Sequence, residues 1–184
     1  AEAAGIPCFE PSDSQDAYDY TRLAFEISEK WEIPVMLRMT ARICHSSTVM
    51  QPAPESPERA PSRYERDIKG RVMIPAYARP AHRRLREKLE AIRVWNSEEG
   101  PTRYIRGRSD FGVIAAGISF QHVREAAPEA SVMKPGMTYP LPMESMLAFA
   151  GKFPAAWVIE EGDPVVATAI RAAGGTVQEK PPDY

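Results

Sequence analysis

The sequence is poor in the residues that build metal and redox sites, since only 2 of its 184 residues are cysteine and 3 are histidine. Cys8 and Cys44 form no CxxC pair, and they are too few for a zinc site, an iron–sulfur cluster or a multi-disulfide scaffold. His82 and His122 have no second ligand at metal spacing, so we expect ordinary surface histidines. We therefore expect no metal bound to this chain, and the low cysteine content favours a reducing, cytoplasmic compartment.

Long apolar runs and an excess of charge of one sign are also absent. The longest apolar stretches, over residues 112–118 and 155–159, are far shorter than the ~20 residues that span a bilayer, and we expect no secretory signal. With 23 basic and 25 acidic residues, the formal net charge is −2. No overall field attracts nucleic acid or an anionic membrane, so we expect a soluble protein without either partner.

The sequence has neither a glycine-rich phosphate loop nor a clear catalytic pair of carboxylates. Glycines occur between residues 107 and 117, but no GxGxxG or Walker-type turn joins a strand to a helix there, so packing explains them better. Glu160 and Glu161 follow a predicted strand, yet adjacent strand residues point to opposite faces. Asp163 is expected to cap the next helix. The sequence alone therefore identifies no catalytic residue.

Proline, in contrast, is abundant. Its 18 residues are about twice the usual share, and they separate segments of regular hydrophobic periodicity. These breaks divide the chain into three predicted regions, namely residues 1–45, 46–108 and 109–184.

The first region has the pattern of one βαβ unit. A short apolar strand over residues 6–10 precedes a helix that Ser12 begins, with Gln15 at capping-box spacing, and that Pro34 ends. A second apolar run over residues 35–40 supplies the next strand. One such unit cannot close its own core, and the sequence lacks an initiator methionine. We therefore expect a truncated domain whose free sheet edge and apolar face are covered by a second copy.

The second region is predicted to be an extended linker followed by a basic helix. Its prolines exclude helix and sheet; they are Pro52, Pro54, Pro57 and Pro61. A brief apolar anchor over residues 72–75 precedes a helix that Pro80 opens. Basic residues crowd that helix: Arg83, Arg84, Arg86, Lys88 and Arg93. Because no aromatic residues alternate with them, a solvated face is favoured over a nucleic-acid site.

The third region alternates between strand and helix periodicity. Apolar strands over residues 111–117, 131–134 and 155–159 each precede a helix, and Ser119, Pro142 and Asp163 mark the three helix starts. Three βα repeats in a row predict an α/β fold with a small, mostly parallel sheet covered by helices. This domain is expected to be complete.

Polar residues cluster at the end of the second strand, and they are the candidate site residues: Arg38, Thr40, Arg42 and His45. Arg38 and Thr40 share a face of a strand whose sheet should be covered, so Arg38 needs a partner carboxylate or an anionic ligand. An ion pair across a domain or subunit interface is favoured over a ligand site.

Four segments carry a resemblance to a known family. They are residues 6–19 with "EPSDSQDAYD", residues 34–42 with "VMLRMTAR", residues 72–79 with "VMIPAYAR" and residues 136–142 with "GMTYPLP". With these segments in this order, the chain resembles the alpha subunit of the indolepyruvate ferredoxin oxidoreductases. The resemblance is specific at EPSDSQDAYD, VMLRMTAR and GMTYPLP and loose through the linker.

This resemblance implies a reaction for the parent protein. The family oxidatively decarboxylates aryl 2-oxoacids with thiamine diphosphate, coenzyme A and ferredoxin, and forms an aryl-acetyl-coenzyme A thioester. Its alpha subunit works with a beta subunit and carries magnesium and [4Fe–4S] clusters. By resemblance, residues 1–45 are the end of a pyrimidine-binding domain and residues 109–184 form a three-layer domain like the transketolase C-terminal domain.

The segments that hold the cofactors in this family are not encoded here. The pyrimidine-contacting glutamate, the GDG-type diphosphate segment and the cysteine string for the clusters are all missing. We therefore expect a fragment that is inactive alone and binds no cofactor, in which Arg42 or His45 meets the substrate carboxylate or a neighbouring chain. The alternative is a non-catalytic α/β assembly or docking module, and a homodimer is possible in either case.

Overall fold

The computed structural model describes residues 1–54 and 65–180. The first part of the chain consists of a short 3-10 helix at Glu2–Ala4 followed by β1 (Cys8–Phe9), α1 (Ser14–Trp31), β2 (Met36–Leu37), α2 (Ala41–His45), α3 (Ile68–Arg71) and α4 (Pro75–Glu98). The second part consists of β3 (Arg103–Ile105), β4 (Gly112–Ala115), α5 (Ser119–Ala126), β5 (Ser131–Lys134), β6 (Met137–Tyr139), α6 (Met143–Ala150), β7 (Ala156–Ile159), α7 (Val165–Ala172) and β8 (Val177–Glu179).

The larger sheet has five strands in the order β3-β5-β4-β7-β8. All neighbours are parallel except β3, which pairs antiparallel with β5. Helices α6 and α7 pack on one face around Met146, Ile170 and Val158, and α5 packs on the other around Phe120 and Val123. The predicted three-layer, mostly parallel α/β domain is confirmed.

The smaller sheet has three strands in the order β2-β1-β6. Strands β1 and β2 are parallel and joined by α1, as predicted for a βαβ unit. Strand β6 pairs antiparallel with β1 although more than 120 residues separate them. Helix α4 contributes Ile92 to the same core, beside Phe9 and Tyr20. Part of the cover that the sequence analysis assigned to another chain or a missing segment therefore comes from this chain.

Both sheets cross the predicted region boundaries. Strand β3 belongs to the segment predicted as linker but forms an edge of the five-stranded sheet, and β6 belongs to the third region but completes the first sheet. The division of the chain into domains at residues 45/46 and 108/109 stays a prediction. Pro57 and Pro61 of the predicted linker lie outside the described residues.

Several local predictions are corrected by the structure. Asp13, not Ser12, caps α1 and accepts a hydrogen bond from the Asp16 amide. Helix α4 begins at Pro75 and includes Pro80, so it starts five residues before the prediction. Ile118 rather than Ser119 occupies the N-cap of α5. Residues 72–75 are exposed, so they are not a buried anchor.

A buried ionic cluster joins the two parts of the fold. Asp16 of α1 and Lys134 of β5 are both fully buried and form an ion pair, and Arg103 of β3 binds the other Asp16 oxygen. The Ser12 hydroxyl and amide donate to Asp16 at 2.6 and 2.8 Å. Since Asp16 lies on the helix that joins the strands of the smaller sheet, while Lys134 and Arg103 lie on strands of the larger sheet, the cluster holds the two parts in one arrangement.

Candidate functional site

A cleft of about 1260 Å³ lies between the two sheets. One wall is built from the ends of β1, β2 and β6, and the other from the β7–α7 connection and the exposed side of α7. The residues that matter for its chemistry are Glu10, Arg38, Thr138, Glu160, Glu161 and Asp163. Open α/β sheets bind ligands beyond the carboxyl ends of their strands, so this cleft is the candidate functional site.

The wall formed by the small sheet carries an ion pair. Glu10 follows β1 and Arg38 follows β2, and Arg38 Nη1 donates to Glu10 Oε1 at 2.8 Å. The Thr138 hydroxyl on β6 donates to the same oxygen at 3.0 Å. The hydrogen bond from Arg38 to Glu10 raises the pKa of Arg38 above its ordinary value. Three neighbouring strands thus hold one carboxylate in place at the cleft.

Backbone pairing explains why these side chains meet. The Arg38 amide donates to the Phe9 carbonyl at 2.9 Å, and the Glu10 amide donates to the Gly136 carbonyl at 3.0 Å. Each bond continues the sheet by one residue past the end of a strand. Because parallel strands end at the same edge, the residues that follow them become neighbours.

The opposite wall uses a carboxylate as a helix cap. Glu160 accepts hydrogen bonds from the amides of Val166 and Ala167 at 2.9 and 3.0 Å, which are free donors at the start of α7. Burial raises the pKa of Glu160 despite these two bonds. Asp163, which was predicted to be the cap, is instead exposed. The prediction missed Glu160 because its carboxylate reaches the helix from six residues upstream.

The four candidate residues have different surroundings. Arg38 lies in the cleft with its side chain half exposed. The favoured prediction was an ion pair across a domain or subunit interface, but the partner is Glu10, which follows the neighbouring strand. Thr40 precedes α2, and its buried hydroxyl has no hydrogen-bond partner within residues 1–54 and 65–180. Arg42 and His45 lie exposed on α2, outside the cleft lining. Their roles stay predictions.

Sequence reasoning missed Glu10 and Thr138. Glu10 could have been found, because it stands directly after one strand of a parallel pair just as Arg38 stands after the other. Thr138 could not, because nothing local in the sequence shows that β6 pairs with β1.

The residues of this cleft do not fit a diphosphate or its metal. Six carboxylate residues and two arginines line it, so the carboxylate excess repels a polyanion. Throughout the described ranges, no three His, Cys, Asp or Glu side chains come together as a metal site. Cys8 and Cys44 are both free thiols, and two thiols are too few to hold an iron–sulfur cluster. The cleft can instead hold polar or cationic groups against Glu10, Glu161 and Asp163.

One further property concerns membranes. Within the described part of the chain, no helix combines the length and apolar character needed to cross a bilayer.

The chain is similar to known proteins over almost its whole length. It is 37% identical over 181 residues to the indolepyruvate oxidoreductase subunit IorA of Archaeoglobus fulgidus, covering 94% of this chain and 29% of that protein. With the IorA subunit of Methanothermobacter thermautotrophicus it shares 33% identity over 184 residues, covering 97% of this chain and 30% of that protein. The chain thus spans about 30% of the length of these curated relatives. No family model matches it.

A solved structure has the same fold. The 2-oxoglutarate:ferredoxin oxidoreductase from Magnetococcus marinus, with 2-oxoglutarate, coenzyme A and succinyl-CoA bound, matches with a TM-score of 0.59 and 16% identity. The match covers 95% of this chain and 39% of that chain. Both sheets and their connecting helices therefore lie within a known arrangement.

Proposed function

Because the chain is related over nearly its whole length to a segment of subunit IorA of the indolepyruvate oxidoreductases, we propose that it is part of an enzyme that oxidatively decarboxylates aryl 2-oxoacids. The products are an aryl-acetyl-coenzyme A thioester and reduced ferredoxin. The observation that carries this proposal is the identity of 32–37% with six IorA subunits, each covering 93–97% of this chain.

The complete enzyme contains thiamine diphosphate, magnesium and [4Fe–4S] clusters, works with a beta subunit and ferredoxin, and is cytoplasmic. These cofactors are held by parts of the enzyme outside this segment, in keeping with the poor fit of the cleft to a diphosphate or a metal. The segment supplies the second α/β domain and the end of a first one. By itself it does not turn over the 2-oxoacid.

Within that enzyme, the side chains of this segment position the substrate or a neighbouring chain and take no part in bond making or breaking. Arg38 is held by Glu10 and keeps half of its side chain accessible, which suits a guanidinium that meets a carboxylate of the substrate or of a neighbouring chain. Arg42 and His45, exposed on α2, are proposed to face the same partner. The buried hydroxyl of Thr40 has no hydrogen-bond partner in the described part of the chain.

A segment exchange tests this proposal. The matching segment of the Archaeoglobus fulgidus IorA subunit is replaced by this chain and produced with its beta subunit. Indolepyruvate-dependent reduction of a dye acceptor is then measured with thiamine diphosphate and coenzyme A present. We expect the chimera to be active and the 184-residue chain alone to be inactive.

Controls separate loss of function from loss of folding. Iron–sulfur absorbance and gel filtration show whether the chimera assembles. An assembled but inactive chimera, or turnover by this chain alone, contradicts the proposal. An assembled, inactive chimera that keeps the beta subunit bound favours the alternative, a non-catalytic docking module.

A further inference from the structure

Charge is segregated along this chain although its net charge is small. Residues 65–88, called here the basic arm, contain eight Lys or Arg and three Asp or Glu. All other residues together contain 15 basic and 22 acidic side chains. The basic arm comprises α3 and the first half of α4, so this part of the chain is basic and the remainder is acidic.

Much of the basic arm is exposed to solvent. Between Pro75 and Arg84 no residue of α4 is buried, and these ten residues extend about 15 Å along the helix. Arg79, Arg83 and Arg86 share its solvent face, since they are spaced by four and three residues. A different face of the helix carries Leu85, Leu89 and Ile92 into the core.

An apolar tip accompanies these charges. Its residues are between 43% and 57% exposed: Ile68, Val72, Met73 and Ile74. Exposed apolar residues next to arginines are typical of protein interfaces.

The complementary surface is the cleft described above. Its two arginines are already paired, Arg38 with Glu10 and Arg93 with Glu144. Glu161 and Asp163 are exposed and form no ion pair among the described residues. Val165, 56% exposed, adds an apolar contact beside them. The cleft therefore offers what the basic arm lacks, namely free carboxylates next to an apolar surface.

We propose that the basic arm of one copy of this chain docks in the cleft of a second copy, so that Arg79 and Arg83 of the partner complete the cleft. The arm and the cleft are different surfaces, and two copies related by a twofold axis form the contact twice. The partner's guanidinium groups neutralise Glu161 and Asp163. This docking does not depend on the proposed reaction.

Charge reversal tests the contact in solution. The arm variant is Arg79→Glu with Arg83→Glu, and the cleft variant is Glu161→Lys with Asp163→Lys. Analytical ultracentrifugation of the 184-residue chain is expected to show a dimer at low ionic strength that dissociates as salt rises. Each variant alone is expected to be monomeric, because like charges then face each other.

Restoration distinguishes docking from misfolding. An equimolar mixture of the two variants, and the chain carrying all four reversals, are expected to dimerise again, since each contact regains opposite charges. The matched control is Arg108→Glu with Lys152→Glu, an equal change of charge at exposed positions outside both the basic arm and the cleft lining, and it is expected to remain dimeric.

Three results of the oligomerisation experiment overturn the proposal. They are a monomeric wild-type chain at low salt, a dimer that both reversals leave unchanged, and monomeric variants whose mixture and fourfold combination stay monomeric with native circular dichroism. Salt-dependent binding of duplex DNA or single-stranded RNA by an otherwise monomeric chain, abolished by the arm reversal, also overturns it and assigns the basic arm to nucleic acid.

Discussion

Gly136 shows how a single residue permits the two sheets to meet. It precedes β6, and a Cβ atom placed there would lie 2.6 Å from both the Pro101 carbonyl oxygen and the Tyr20 hydroxyl. The Tyr20 side chain is buried in the smaller core and the Pro101 oxygen is a backbone atom, so neither atom moves aside easily. Gly136 is the first residue of the GMTYPLP segment, and a glycine is needed there because other atoms approach its Cα closely.

We predict that Gly136→Ala destabilises the protein by about 1–3 kcal/mol, since an added methyl group forces packed atoms apart. Urea denaturation measures the change. The control is Gly162→Ala, where nothing lies within 4 Å of the added Cβ, and stability there should stay within about 0.5 kcal/mol. Equal effects at the two glycines would refute the steric explanation.

Asp16 makes stability depend on pH. Burial alone would raise the pKa of its carboxyl, but Lys134 and the Ser12 hydroxyl and amide outweigh burial and hold the pKa below 3.8. The unfolded state therefore binds the proton more readily, and the folded state loses this stabilisation as pH falls below about 4. Burial lowers the pKa of Lys134 in turn.

We predict that Asp16→Asn costs about 3–5 kcal/mol near neutral pH, because it leaves the buried Lys134 without its counter-charge. The loss should shrink between pH 7 and pH 10, since Lys134 can then give up its proton in the folded state at less cost. Thermal unfolding across this pH range measures both effects. A loss that is the same at every pH would contradict the ion-pair account.

At the scale of the element, helix α7 depends on a cap that comes from the preceding strand. The two Glu160 oxygens accept from two free amides at its N-terminus. We predict that Glu160→Ala destabilises the protein by about 0.5–2 kcal/mol, as loss of an N-cap does. Glu160→Gln keeps one acceptor oxygen and should cost less. Glu161→Ala, a neighbouring carboxylate without such bonds, is the control for thermal unfolding, and an equal loss there would disprove the capping role.

Elements formed by local pattern were predictable from the sequence. Helix α1 follows from apolar residues at steps of three and four, and strands β4, β5 and β7 from short apolar runs between turn residues. Element ends were less predictable, because capping depends on which side chain reaches the free amides. Pro80 was mistaken for a helix start, but Pro75 already occupies that role.

The candidate site was predictable only in part, because some of its residues meet through pairing between segments that are distant in the sequence. Arg38 was found from the conflict between its charge and a covered strand. The identity of its partner depends on strand neighbours, and the second donor to that partner, Thr138, arrives with β6. Pairing between segments more than 120 residues apart leaves no local pattern. The cleft itself has walls from both sheets, so no single region of the sequence could reveal it.

In the whole molecule, β6 follows a strand of the larger sheet along the chain but pairs in the smaller sheet, and this connection has a consequence for unfolding. Strand β6 completes the smaller sheet. Because only two residues separate it from β5 of the larger sheet, a displacement of one strand disturbs the other. The buried Asp16–Lys134 pair adds a second link across the same boundary. Neither sheet can therefore open without exposing part of the other core.

We predict a single cooperative unfolding transition for both parts. Trp31 and Trp95 pack edge to face at 5.5 Å against the smaller core, and Trp157 packs in the larger sheet, so fluorescence can follow each part separately. Trp157→Phe leaves reporters in the first part only, and Trp31→Phe with Trp95→Phe leaves one in the second. Coincident urea midpoints in the two variants, matched by circular dichroism, are the expected result. Separate midpoints would mean that the larger sheet folds without β1 and α1, and that the cleft between the sheets is not a fixed feature of the molecule.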